Sequence, residues 1–240
     1  MLRRADPLAL AAKLPDEPHW VETRWLLRSG GELRACGGEG AVVVGTHLPS
    51  GAVIGRPEAG PLREALVDVP DDLELIVQLE SLDAVRRALP EWRVDPATVH
   101  VREPPARETG AAPAGVMVSA PPDPDLVSRL PEPEEIRRWA EQAEAITVRH
   151  VEGRVVSICQ AIAVTETLWD VAIDTLEGHR RRGHAAACFE TLAAHMATTG
   201  RQPVWAADDD NAASLRLAAK LGFRPVERLT VLMPIPAPTR

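Results

Sequence analysis

The stretch Leu176–His195, LEGHRRRGHAAACFETLAAH, sets Arg180, Arg181 and Arg182 directly before Gly183 and then runs into alanines. It follows LWDVAIDTL, an alternation of apolar and small or polar residues that reads as a strand. Beyond Gly183 the apolar residues Phe189, Leu192, Ala193 and Met196 recur at helical spacing, and Gly200 stands where a C-terminal cap is expected. A strand that turns into a helix presents free backbone N–H groups, reinforced by the positive end of the helix dipole. Gly183 would let the backbone approach an anion with no side chain in the way. The arginines add fork-like donors suited to phosphate, and the small residues Ala185–Ala187 permit close approach. The cluster alone has three readings: a nucleic-acid patch, a solvated helix end, or a seat for a smaller anion such as a pyrophosphate.

The composition of the whole chain weighs on that choice. Its 27 Lys and Arg against 35 Asp and Glu leave a net charge of −8, a field that repels nucleic acid. No stretch approaches the roughly 20 apolar residues of a membrane span. In the opening MLRRADPLALAAKLPDEPHW, acids and prolines interrupt the apolar run before a signal-peptide core develops, so it reads as an ordinary helix. Cys36, Cys159 and Cys188 are odd in number, far apart and without metal-ligand spacing, as expected for reduced thiols in a cytoplasmic protein. The run Asp208–Asp210 reads as a solvated loop, and no metal is expected. Tyrosine is absent and Phe occurs twice against six Trp, so Trp169 and Trp205 are expected in the core.

A seam divides the chain. VREPPARETGAAPAGVMV, residues 101–118, has paired prolines and small residues between two strand-like stretches and reads as a linker, dividing the chain into domains 1–112 and 113–240. In the first, LALAAKL and HWVETRWLLRSG have helical spacing, and GELRACGGEGAVVVGTHLPSGAVIG reads as short strands with glycine turns. LELIVQL and ATVHVRE read as strands around a helix, SLDAVRRAL, with Ser81 as its cap. This alternation indicates a small α/β domain, and no internal repeat is apparent.

In the second domain, GVMVSA reads as a strand, PDLVSRL as a helix, and PEPEEIRRWAEQAEA as a helix starting at Pro133 with Glu134 and Glu135 in its first turn. ITVRHVEGRVVSICQAIAVTE reads as a hairpin turning at Glu152-Gly153. PVWAA is a strand, NAASLRLAAKLG a helix capped by Asn211 and stopped by Gly222, and RLTVLMPI a last strand.

Arg180-x-x-Gly183-x-Ala185 fits the Arg/Gln-x-x-Gly-x-Gly/Ala pattern of the GNAT superfamily of acyl-CoA-dependent N-acyltransferases. NAASLRLAAKLGF, residues 211–223, resembles the family's following helix, with one helix and one strand between the two motifs. The resemblance runs from Trp169 to Pro234, and more weakly back to about Gly115. It is similar to a bacterial branch with Trp, Asn and Ser ahead of Lys-Leu-Gly-Phe, and it implies an α+β fold: a GNAT-type mixed central sheet flanked by helices in the C-terminal half, preceded by the smaller α/β domain.

The resemblance also implies residue roles. Val171 and Ile173 would bond the pantetheine arm through their backbone where the family's fourth strand splays. Arg180, Arg181, Arg182, Gly183, His184 and Ala185 would surround the pyrophosphate, with Asn211 and Ser214 near the cofactor. Asp170 falls where relatives often carry a glutamate, a candidate base toward the acceptor amine; Glu166, just upstream, is a second candidate. Many relatives place a tyrosine in the register of Ala218 as general acid toward the leaving thiolate. Ala218 cannot donate a proton, which leaves Cys159, Ser214 or water for that role, or departure of the thiolate unassisted.

The implied function is transfer of an acetyl group from acetyl-CoA to a primary amine of a small molecule or peptide, without nucleic-acid or membrane partners. The alternative is a catalytically degenerate acyl-CoA-binding or regulatory module.

Overall fold

Short apolar runs punctuated by glycine and proline become strands, and longer amphipathic runs become helices. The computed structural model describes residues 6–103, 113–131 and 133–235. In chain order the helices are α1 (Pro7–Ala11), α2 (Val21–Arg28), α3 (Ala59–Ala65), α4 (Leu79–Ala88), α5 (Pro124–Ser128), α6 (Glu134–Gln142), α7 (His184–Ala197) and α8 (Ala212–Lys220). The strands are β1 (Glu32–Ala35), β2 (Ala41–Val44), β3 (Ser50–Ile54), β4 (Glu74–Val77), β5 (Arg93–Val101), β6 (Val116–Ser119), β7 (Ala145–Val151), β8 (Arg154–Val164), β9 (Leu168–Thr175), β10 (Gln202–Asp208) and β11 (Arg224–Met233). Half of the expected linker, residues 104–112, lies outside the described residues.

The chain forms two compact units, one made of residues 1–99, 207–212 and 225–240, the other of residues 100–206 and 213–224. The C-terminal strand β11 therefore belongs with the N-terminal elements.

In the first unit the strand order is β1-β2-β3-β4-β11-β5. β1, β2 and β3 pair antiparallel, β3 and β4 parallel, and β11 pairs antiparallel with β4, Thr230 opposite Val77. Val42, Val53, Leu62, Leu75, Val85 and Leu232 share its core. Arg24 on α2 is buried, donates to the carbonyl of Ala11 at 2.9 Å and lies 3.7 Å from the Asp16 carboxylate, which ties α1 to α2. Ser81 does not cap α4, contrary to expectation: the helix starts three residues earlier, at Leu79, with Gln78 in the cap position. The Ser81 hydroxyl instead donates to the carbonyl of Gly55 at 2.5 Å.

In the second unit the order is β10-β9-β8-β7-β6. β6 to β9 pair antiparallel in succession, and β9 and β10 pair parallel. The β7–β8 hairpin turns at Glu152 (φ 51°) and Gly153 (φ 78°), two successive left-handed residues as a two-residue turn of this twist requires. Ile146, Val148 and Ile158 face Leu126, Leu130, Ile136 and Ala140 from the α5–α6 side. On the other face, Thr147 donates its hydroxyl to the carbonyl of Cys188 in α7 at 2.9 Å.

The element order and pairing of the two halves coincide. Helix pair α1–α2, antiparallel β1, β2, β3, helix α3, parallel β4, helix α4 and strand β5 are followed, after β6, by α5–α6, antiparallel β7, β8, β9, helix α7, parallel β10, helix α8 and strand β11. The chain thus contains a topological repeat that its sequence does not display.

Phe189 is fully buried, with ring centroids of Trp169, Trp205 and Phe223 at 6.2, 6.1 and 5.4 Å and the Arg102 guanidinium 5.3 Å from its own centroid. Phe189→Ala is expected to cost about 3–5 kcal/mol of stability in urea denaturation, whereas Val67→Ala, at a highly exposed position, changes it by less than about 0.5 kcal/mol.

Candidate active site

Three features of the second unit converge at the end of β9. The first is the way β9 leaves β10. Their parallel ladder consists of Leu168–Gln202, Trp169–Pro203 and Asp170–Val204, yet β9 continues to Thr175. Odd-numbered residues of β9 turn their peptide groups toward β10 and even-numbered ones toward β8: the Thr167 carbonyl, just before the strand, accepts from Gln202 N–H, and the Asp174 carbonyl from the Ser157 hydroxyl. Past the last rung, the backbone groups of Val171 and Ile173 therefore lie on the edge that β10 has left. The Asp170 carboxylate sits where the strands part, accepting from the N–H groups of Val171 and Ala206. Burial pushes its carboxyl up to about 7, while those two N–H groups pull the other way.

The second is the loop from β9 to α7. A single 3-10 turn, Glu177–His179, is followed by extended Arg180, by Arg181 at φ 61° and by Gly183 at φ 84°. Two left-handed residues bring the chain round to start α7, and the second is glycine, which adopts that conformation without steric cost. Gly183 occupies the N-cap and no side chain caps the helix. The first-turn N–H groups of a 14-residue helix thus remain open to an external acceptor. Arg180, Arg181 and Arg182 are exposed beside them, and Arg180 Nε donates to the Thr175 carbonyl at 3.1 Å. The His184 imidazole is held below its ordinary pKa by desolvation and then by the charges of Arg149, His179 and Arg182.

Arg149 is the residue that the sequence reading missed. It lies on β7, two residues after Thr147 and on the same face, toward α7. Its Nη1 donates to the Ala114 carbonyl, while its buried Nε has no hydrogen-bond partner. A half-buried guanidinium beside the positive end of a helix and a histidine is unfavourable unless an anion joins them. The period-two alternation of Ile146, Thr147, Val148 and Arg149 carried the signal, because it sets Arg149 on the α7 face rather than in the α5–α6 core.

The third feature is a pocket of about 160 Å³ bounded by Pro131 and Pro133 between α5 and α6, by Val156 and Ile158 on β8, and by Asp174 and Arg180. Asp174 and Asp170 alternate onto one face of β9, about 13 Å apart along a strand. The Asp174 carboxyl is raised by desolvation and by the negative charge of Glu135, with Arg180 opposing.

The remaining expected residues fall as follows. Ser214 accepts from Trp205 Nε1 at 2.8 Å, in the same unit as the loop. Asn211 belongs to the other compact unit, in the segment 207–212, where its N–H donates to the Asp208 carbonyl at 3.0 Å. Glu166 is exposed in the turn between β8 and β9, at the end of β9 opposite the arginine loop. Cys159 is fully buried, and its thiol is held well above the ordinary range by that burial, then by Cys188, Asp170 and Asp174, so it gives up a proton poorly. Ala218 is fully buried in α8.

The family profile described as GNAT acetyltransferase matches residues 145–232. No curated protein matches the chain. Among solved structures, an acetyltransferase of the GNAT family from Novosphingobium aromaticivorans, described as putative, aligns with TM-score 0.62 at 21% identity, covering 92% of this chain and 98% of that one. A GCN5-related N-acetyltransferase-like protein from Streptococcus suis aligns with TM-score 0.66 at 17% identity, covering 93% and 95%. A tandem GNAT protein from the clavulanic acid biosynthesis pathway aligns with TM-score 0.53 at 18% identity, covering 97% and 94%. Residues 145–232 thus match the GNAT acetyltransferase family profile, in a chain that takes up the GNAT fold.

Proposed function

We propose that the protein is an N-acetyltransferase that moves an acetyl group from acetyl-CoA to the primary amine of a small molecule or peptide. The observation that carries this reading is the uncapped start of α7, preceded by three exposed arginines and standing at the end of the strand that parts from β10. An anion of pyrophosphate size meets backbone donors, dipole and guanidinium groups there at once. Arg180, Arg181, Arg182, Gly183, His184 and Ala185 hold the pyrophosphate, and Arg149 adds its unpartnered Nε to the same field. Val171 and Ile173 present to the pantetheine arm the backbone edge that β10 has left, the Val171 N–H being held by the Asp170 carboxylate, with Ser214 and Asn211 assigned to the cofactor by family resemblance. When bound, acetyl-CoA supplies the acyl group and a thiolate leaving group.

The catalytic work of the chain falls to Asp170. Its carboxyl titrates near neutrality, so it is poised to take a proton from an acceptor ammonium at physiological pH. Glu166, in the turn four residues upstream of Asp170, is the second candidate. The pocket at Asp174 opens on the same face as Asp170, and its acidic wall suits a cationic acceptor. With Ala218 in place of a proton donor and Cys159 sealed, solvent protonates the leaving thiolate. That missing donor favours the second reading, a non-catalytic acyl-CoA-binding module.

Calorimetric titration with CoA is expected to show a loss of affinity of at least tenfold in Gly183→Glu and about three- to tenfold in Arg149→Met. No CoA binding by the wild type at millimolar concentration would overturn both readings. If Asp170 is the base, kcat/KM rises with pH through about 7. Asp170→Asn then lowers kcat/KM by about 10²–10⁴-fold and removes that limb, with little change in CoA affinity. Wild type without measurable thiol release across a panel of amines would select the module. The same group has a signature independent of activity. Its folded-state pKa is raised, so the folded protein binds the extra proton, and stability falls as pH rises from about 4 through 7. Thermal melts of Asp170→Asn should lack that fall.

A further inference from the structure

The two halves repeat one topology, so the loop from β3 to α3 is the counterpart of the loop from β9 to α7. The two loops are built oppositely. Residues 176–183 link β9 to α7, whereas only Gly55, Arg56, Pro57 and Glu58 link β3 to α3. In the second copy the cap is a glycine after three arginines; in the first it is Glu58, which brings a negative charge to the loop and whose side chain lies against Gly37 and Gly38. Pro57 has no N–H to offer, and the N–H of Glu58 is spent on the Cys36 carbonyl at 2.7 Å.

The first loop is also closed down on its surroundings. A Cβ at Gly40 would come within 2.2 Å of the Pro57 Cα, and one at Gly37 within 2.9 Å of a Glu58 carboxylate oxygen. A Cβ at Gly55 would meet the Glu39 carbonyl oxygen at 2.4 Å, and the Ser81 hydroxyl pins the Gly55 carbonyl. At Gly183, by contrast, a Cβ would meet nothing within 4 Å.

A separate observation concerns the strands. The β3–β4 ladder runs Ser50–Glu74, Gly51–Leu75 and Ala52–Ile76, leaving only Val53 and Ile54 of β3 beyond the last rung. β9 extends five residues beyond its last rung with β10, from Val171 to Thr175. The first copy therefore lacks both the long arginine-bearing loop and the parted strands.

We infer that the chain is a tandem repeat of one fold that holds a single acyl-CoA, in the second copy only, the first copy having its counterpart loop shortened and packed shut and serving as a non-binding partner. This rests on the acyl-CoA reading above. Native mass spectrometry of the full chain with saturating CoA is expected to count one CoA per chain. Hydrogen exchange should show CoA-dependent protection over residues 176–187 and none over 55–62. Two CoA per chain, or protection at 55–62, would overturn the inference while leaving the acyl-CoA reading intact. Absence of any bound CoA would overturn that reading and the inference with it. In Gly183→Glu, shown to be folded by circular dichroism, the expected count is zero; one CoA remaining places the site in the first copy and refutes the assignment.

Discussion

Four aromatic rings, one from each of four successive parts of the chain, hold the candidate site in register. Trp169 comes from β9, Phe189 from α7, Trp205 from β10 and Phe223 from the segment after α8, with neighbouring centroids 5.3–6.2 Å apart. Each ring brings a different functional piece with it. Trp169 precedes Asp170, Phe189 fixes the height of α7 and hence of its open start, and Trp205 orients Ser214. Rings of this size bury large apolar areas and pack in restricted geometries, so a chain without tyrosine can still align a strand opening with a helix terminus.

The polar chemistry is laid over that frame by alternation along β9. Trp169 faces the aromatic cluster, while Asp170, Ala172 and Asp174 face the α5–α6 side. One strand thereby anchors the core with one face and lines a pocket with the other. The charges divide in the same way: arginines gather at the helix start, and carboxylates at the pocket and the strand opening. Burial weakens the acidity of Asp170, whereas the arginines stand exposed to solvent.

Much of this was legible in the sequence because it depends on local signals. The β9–loop–α7 unit, the Glu152-Gly153 turn and the helix stop at Gly222 all follow from glycine and from apolar spacing. What escaped depends on partners distant in the chain. Ser81 looked like a cap, but its hydroxyl goes to Gly55. The helix α3 was not anticipated, because AGPLREA offers a proline and a glycine where a helix signal is usually sought. Arg149 is one charge in a strand, and its meaning lies in its closeness to His184. The repeat was hidden because the counterpart loops differ in length, charge and capping residue. Topology is held by core alternation, which many sequences satisfy.

The return of β11 to the first unit bears on how the chain is made. Val77 finds its partner Thr230 only after more than half the chain has intervened. Loop closure over such a span slows sheet completion, and a nascent first half carries β4 with an exposed edge until then. The order of synthesis thus leaves the N-terminal half dependent on a strand that emerges long after it, and a stop in translation ahead of β11 would release a chain with an unpaired apolar strand prone to association.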